Sequence, residues 1–193
     1  MDPNDWPGER LTVCVTGAGG VIARCVFARC AACSRARCVL AISPQLSRSH
    51  LARRLKREGH YVVACDRKRN EHMEENSFCN EFRVADLTAF DNCFSVECNH
   101  VFDLASDAGA TAAATRNNLL VACNMLEAAR LVGVRRFFYA SYVPEKLAVE
   151  ELVAQYGCEF NMECRISRIA RNERDPADCV EAILRVAKSA RDV

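Results

Sequence analysis

The chain has 193 residues, half of them hydrophobic, with 26 Lys and Arg against 25 Asp and Glu and a formal net charge of +1. That length predicts one domain, or one and a remnant, and the near-neutral balance gives no electrostatic footprint for nucleic acid or an anionic membrane as partner. No run is apolar and long enough to span a bilayer, and the acidic, polar start Met1-Asp2-Pro3-Asn4-Asp5 lacks a secretory pattern, so a reducing, cytoplasmic setting is expected.

Residues 11–16 read as a buried strand and run directly into Gly17-Ala18-Gly19-Gly20-Val21-Ile22-Ala23. A strand that delivers a glycine-rich turn to a helix start suits a pyrophosphate. Gly17 lets the backbone turn sharply, Gly20 lets it approach phosphate oxygens without a side chain, and small Ala23 lets the helix pack on the strand. Exposed amides and the helix dipole attract the anion. The competing reading is an ordinary tight turn. A second strand at 60–65 favours the dinucleotide, because it ends at Asp66, where a carboxylate accepts hydrogen bonds from the adenosine ribose hydroxyls. Arg67 and Lys68 follow and would tolerate a 2′-phosphate, yet the acidic strand end favours NAD over NADP.

Thirteen cysteines, an odd count scattered along an α/β pattern, argue for free thiols. Cys14, Cys65, Cys123 and Cys179 lie in apolar patterns, where a thiol packs as a small hydrophobe. Cys25, Cys30, Cys33 and Cys38 cluster among Arg24, Arg29, Arg35 and Arg37. Four thiolates suit tetrahedral zinc, but the turn chemistry that separates two ligand pairs is missing, so no metal is expected.

Strand and helix signals alternate through the rest of the chain. A short strand at 81–84 leads to Asp86, and another at 99–104 leads toward Gly109. From 111 to 131, Leu119, Ala122, Cys123, Leu126 and Ala129 recur at helical spacing, with Gly133 as terminator. A strand at 136–140 is followed by a helix opening at Pro144 and stopping near Gly157, then a strand at 160–166. Asp175 as cap and Pro176 in the first turn announce a last helix, with Cys179, Ile183, Leu184 and Ala187 on its buried face. The pattern predicts an α/β fold, a Rossmann-like doubly wound parallel sheet. Its expected division is a polar tail at 1–10, a dinucleotide-binding domain at 11–166 and a remnant segment with one helix at 167–193.

These residues resemble the extended short-chain dehydrogenase/reductases of the NAD-dependent epimerase/dehydratase type, most closely the plant enzymes that epimerise GDP-mannose. The resemblance rests on blocks at 15–23, 49–60, 70–73, 85–87, 100–105, 124–130, 135–141 and 163–165, in family order. It implies NAD on the turn at 17–23, Asp66 on the ribose, Asp86 near the adenine, and a GDP-mannose-like nucleotide-sugar beside Gly109 and Ser141. The family's Tyr-x-x-x-Lys pair matches Tyr142 and Lys146, and Ser141 matches a serine that contacts substrate. In that chemistry the lysine lowers the tyrosine pKa, the tyrosine deprotonates a sugar hydroxyl as hydride passes to the nicotinamide, and separate acid and base groups invert the acidified carbons.

Three departures from the family pattern predict impaired activity. Residues 24–48 separate the glycine turn from its helix-like continuation at Ser49, and either bulge as a loop or supply a replacement helix. Tyr142 follows Ser141 directly, where the family carries a longer segment with its catalytic cysteine. Pro144 at the first helical position then sets Tyr142 ahead of the helix, which misplaces the pair; the alternative is a strand-end aromatic and a solvated lysine. After Ile166 the chain passes straight to its final helix, so most of the substrate pocket is expected to be missing. A non-catalytic NAD-binding module, pairing with itself or with an intact homologue, and an inactive mis-spliced product are the alternatives.

Overall fold

A computed structural model describes residues 10–17, 45–68, 78–93, 98–107, 111–141, 147–169 and 176–189. Six strands alternate with four helices: β1 Thr12–Thr16, α1 Gln45–Arg57, β2 Tyr61–Asp66, β3 Glu81–Val84, β4 His100–Asp103, α2 Ala112–Val132, β5 Arg136–Ser141, α3 Leu147–Phe160, β6 Glu163–Arg168 and α4 Pro176–Lys188. All strands run parallel, in the order β3-β2-β1-β4-β5-β6. This is the doubly wound Rossmann arrangement that the alternating pattern predicts.

Side-chain alternation along each strand divides the core into two layers. Val13, Val15, Val62, Ala64, Phe102 and Phe138 face one side, where Leu51 and Leu55 of α1 and Ile183 and Leu184 of α4 cover them. Cys14, Val63, Val101, Phe137 and Tyr139 face the other, under Met125 and Leu126 of α2 and Val149 and Val153 of α3. On the first side α4 also joins α1 through an Arg54–Glu181 ion pair at 2.7 Å.

The ends of α2 follow from local chemistry. The Thr111 hydroxyl accepts from the Ala114 amide at 3.2 Å, and Gly133, at φ 72°, donates its amide back to the last turn. The helix at 147–160 ends differently from expectation. Gly157 lies inside α3, not at its end, and faces β6, where an added Cβ would meet Cys164 Cβ at 3.4 Å in ordinary van der Waals contact. Asn161, at φ 51°, turns the chain out of the helix in its place. Consequently β6 begins at Glu163, and Phe160, expected to open that strand, closes α3. Cys123 is a second correction. It is exposed on α2, whose buried stripe runs through Ala122, Met125, Leu126 and Ala129, while Cys14, Cys65 and Cys179 are buried as expected. Asp175 and the cysteines at 25, 30, 33 and 38 lie outside the described residues.

One buried base makes the fold sensitive to acid. His100 is 4 % exposed in β4, with its ring edge-on to Phe138 at 5.8 Å. Burial, helped by the charge of Arg136, pushes its pKa down from 6.5 to about 4. The unfolded chain therefore binds the proton first as pH falls, so stability present at neutral pH is lost between about 6.5 and 4. Urea unfolding should show a loss of roughly 2 kcal/mol between pH 7 and pH 5 from this group. His100→Phe should remove that part of the slope, and an unchanged slope in the variant would contradict the assignment.

Candidate nucleotide-binding site

The sheet reverses its winding between β1 and β4, and in open α/β sheets ligands bind above the carboxyl ends of the strands at such a point. Two buried polar side chains tie these strand ends together. Thr16 Oγ1 donates to Asp103 Oδ1 at 2.7 Å and accepts from the Leu104 and Ala105 amides, both at 3.2 Å. Thr16 ends β1 and Asp103 ends β4, so one hydroxyl fixes both lips of the crevice. Immediately after it, Gly17 adopts φ 68°, the left-handed bend that a side chain disfavours. Thr16→Val would remove the acceptor of the Leu104 amide and leave the buried Asp103 Oδ1 with the Ala105 amide at 3.3 Å in place of the hydroxyl. It should lower stability by about 2–3 kcal/mol in denaturant unfolding, and a change within 0.5 kcal/mol, the scatter of surface substitutions, would refute the link.

The acidic residues predicted for the cofactor lie along the same edge of the sheet. Asp66 ends β2, half-buried, and its Oδ1 accepts the Arg67 amide at 2.6 Å. Asp86 stands two residues past β3, exposed. The Thr88 hydroxyl and amide bond its Oδ1 at 2.8 and 3.0 Å and, with the Arg67 charge nearby, hold its carboxyl below the ordinary range. Asn92 and Asn124 brace the same loop through the carbonyls of Asp86, Leu87 and Thr88. Gly17, Asp66 and Asp86 thus follow one another across β1, β2 and β3.

The other predicted residues divide between placed and undescribed. Ser141 ends β5 fully buried, and its carbonyl accepts the Ile169 amide at 2.8 Å. Its hydroxyl faces the Glu150 carboxylate of α3 without completing a hydrogen bond in good geometry. Burial pushes the Glu150 pKa up, but the Arg168 guanidinium, bonded at 2.7 and 2.8 Å, and the nearby Ser141 hydroxyl bring it below the usual glutamate value. Ala18, Gly19, Gly20, Val21, Ile22, Ala23, Gly109, Tyr142 and Lys146 lie outside the described residues. Sequence reasoning missed Thr16, Asp103, Asp107 and the Glu150–Arg168 pair. The available signal was a polar residue closing an otherwise apolar strand run, as Thr16 and Asp103 both do.

The model of the NAD dependent epimerase/dehydratase family matches residues 49–143. GDP-mannose 3,5-epimerase 1 of Oryza sativa subsp. indica is 38 % identical over 202 residues, covering 84 % of this chain and 47 % of that protein. The chain belongs to the NAD-dependent epimerase/dehydratase family. GDP-mannose 3,5-epimerase of Arabidopsis thaliana is likewise 38 % identical, over 203 residues, with the same coverage. This family member spans about half the length of the curated relatives it matches. Among solved structures, UDP-glucose 4-epimerase of Thermus thermophilus in complex with NAD superposes with a TM-score of 0.58 at 20 % identity, covering 81 % of this chain and 54 % of that one. The Thermotoga maritima UDP-glucose 4-epimerase with UDP-glucose gives 0.60 at 16 %, with the same coverage, so the likeness is one of fold.

The residues present fit the family's dinucleotide. The left-handed bend at Gly17 sits at the switch point, and the Asp66 carboxylate stands one strand away, where an adenosine ribose would lie. Among the described residues no group of three or more His, Cys, Asp or Glu could hold a metal ion, and no helix is long and apolar enough to cross a membrane.

Proposed function

We propose that this chain is an NAD-binding, nucleotide-sugar epimerase-like protein of impaired activity, with a GDP-mannose-like sugar nucleotide as its substrate class. The observation that carries the reading is the Gly17 bend at the switch point with Asp66 one strand over, in a chain of this family. Residues 17–23 would cradle the pyrophosphate, Asp66 would accept from the ribose hydroxyls, and Asp86 would flank the adenine. Bound NAD supplies a reversible acceptor of two electrons from a sugar carbon. Tyr142 and Lys146 would move the hydroxyl proton, beside Gly109 and Ser141. A cytoplasmic setting and pairing with a second copy or an intact homologue through α2 and α3 belong to the same reading.

Impairment follows from the middle of the chain. Tyr142 follows Ser141 directly in the sequence, where the family pattern carries a longer segment with its catalytic cysteine. Burial of Ser141 beside Glu150 also favours a second reading, a module that binds NAD without catalysis. The test supplies purified protein with NAD and GDP-mannose in deuterated water and follows deuterium entering the sugar by NMR. Binding of NAD with exchange at least about a hundredfold below a full-length relative is expected, the scale of one lost acid–base group. Exchange at the relative's rate would overturn the impairment. Neither binding nor exchange would support an inactive mis-spliced product.

A further inference from the structure

Arg67 follows Asp66 at the carboxyl end of β2, and its guanidinium pairs with Asp107, which lies beyond the end of β4. Since β1 runs between β2 and β4, the ion pair passes over the strand end where Gly17 begins its turn. The aspartate side of the pair is fixed. Asn117 Nδ2 donates to Asp107 Oδ2 at 2.9 Å, the Asp107 amide donates to Asn118 Oδ1 at 2.7 Å, and Asn118 Nδ2 donates to the Asp107 carbonyl at 3.3 Å. Two consecutive side chains of α2 therefore pin Asp107 in place, while the Arg67 side chain is 56 % exposed. Asp86 lies near enough for its carboxyl to feel the Arg67 charge, whereas Asp66 accepts the Arg67 backbone amide.

A cation beside the end of the second strand is the group that accommodates an adenosine 2′-phosphate in dinucleotide sites. A phosphate monoester brings nearly two negative charges, and arginine binds it through paired donors. In this chain the cation is present, but one of its nitrogens is bonded to a carboxylate that α2 holds still. We propose that Asp107 sets the choice between NAD and NADP by holding Arg67 away from the ribose 2′ position. This rests on the NAD-site reading above. The two sides of the selection differ in kind: Asp66 attracts the 2′-hydroxyl and repels a phosphate, and Asp107 withholds the cation that would offset that repulsion. The pair is half-exposed and easily opened, so NAD itself need not displace it at great cost.

The test is calorimetric titration of the full chain with NAD and with NADP, in the wild type, Asp107→Asn, Arg67→Gln and the double variant. The wild type should bind NAD at least about tenfold more tightly than NADP. Asp107→Asn should narrow that ratio by about tenfold, the worth of one charge-assisted pair, chiefly by tightening NADP. In the Arg67→Gln background the same substitution should leave the ratio unchanged, because the cation it frees is gone. An unchanged ratio in Asp107→Asn, with NAD still bound, overturns the proposal and leaves the NAD site standing. An equal narrowing without Arg67 also overturns it, since removal of a negative charge alone would then explain the shift. Failure of every form to bind either nucleotide overturns the site reading and the proposal together.

Discussion

Gly17→Val should weaken NAD binding by at least about a hundredfold, nearly 3 kcal/mol, the largest functional effect of any single change in the chain. Gly17 holds φ 68° directly after Thr16, whose hydroxyl locks β1 to β4. A β-branched residue is a poor occupant of that region, at a cost of roughly 1–2 kcal/mol for left-handed backbone. Escape from the strain means moving the turn, and with it the amides that would meet the pyrophosphate. Calorimetric titration of wild type, Gly17→Ala and Gly17→Val should give affinities falling in that order. A valine variant within threefold of wild type would show that the bend has nothing to do with the nucleotide.

Phe102→Ala is expected to have the largest effect on stability, about 3–5 kcal/mol. Phe102 is 1 % exposed in β4, directly beside Val15 of β1, and stacks on Phe138 with ring centroids 4.5 Å apart. The ring lies in the layer that joins β1 and β4 to α1 and α4, so its loss opens a void among side chains anchored on four elements. Domains of this size hold only about 5–15 kcal/mol in total, which makes the loss a large fraction of the whole. Guanidinium unfolding should show an earlier midpoint with an unchanged slope, and Phe102→Leu should recover more than half of the difference. A change below 1 kcal/mol would mean that this layer is loosely packed.

What the amino-acid sequence reveals and what it hides divide by the range of the interaction. The ends of α2 were legible because Thr111 and Gly133 act on amides and carbonyls within four residues of themselves. The doubly wound parallel sheet followed from the alternation of apolar runs and amphipathic stretches, which leaves few ways to cover such a sheet. Gly157 misled because it sits within α3 facing Cys164, while Asn161, at φ 51°, makes the turn out of the helix. Phe160 read as a strand residue but belongs to α3, where it packs on Tyr156 at 5.1 Å and lies under the Arg130 guanidinium of α2 at 5.0 Å. In the candidate site, Gly17 and Asp66 were visible as punctuation at strand ends. Thr16 and Asp103 each show as a polar end to an apolar strand run, but their bond joins residues 87 apart and the Arg67–Asp107 pair joins residues 40 apart, so neither pairing can be read locally. The proximity of the Ser141 hydroxyl to Glu150 of the following helix was hidden for the same reason.

The measurement that bears most directly on the account is a calorimetric titration of the purified full chain with NAD at pH 7. One site of micromolar affinity, about 1–100 μM, is predicted, and it should be lost in Gly17→Val while the thermal transition of that variant remains cooperative. Absence of any binding heat up to millimolar NAD, from a chain that unfolds cooperatively, would contradict a dinucleotide site at the β1–β4 crevice.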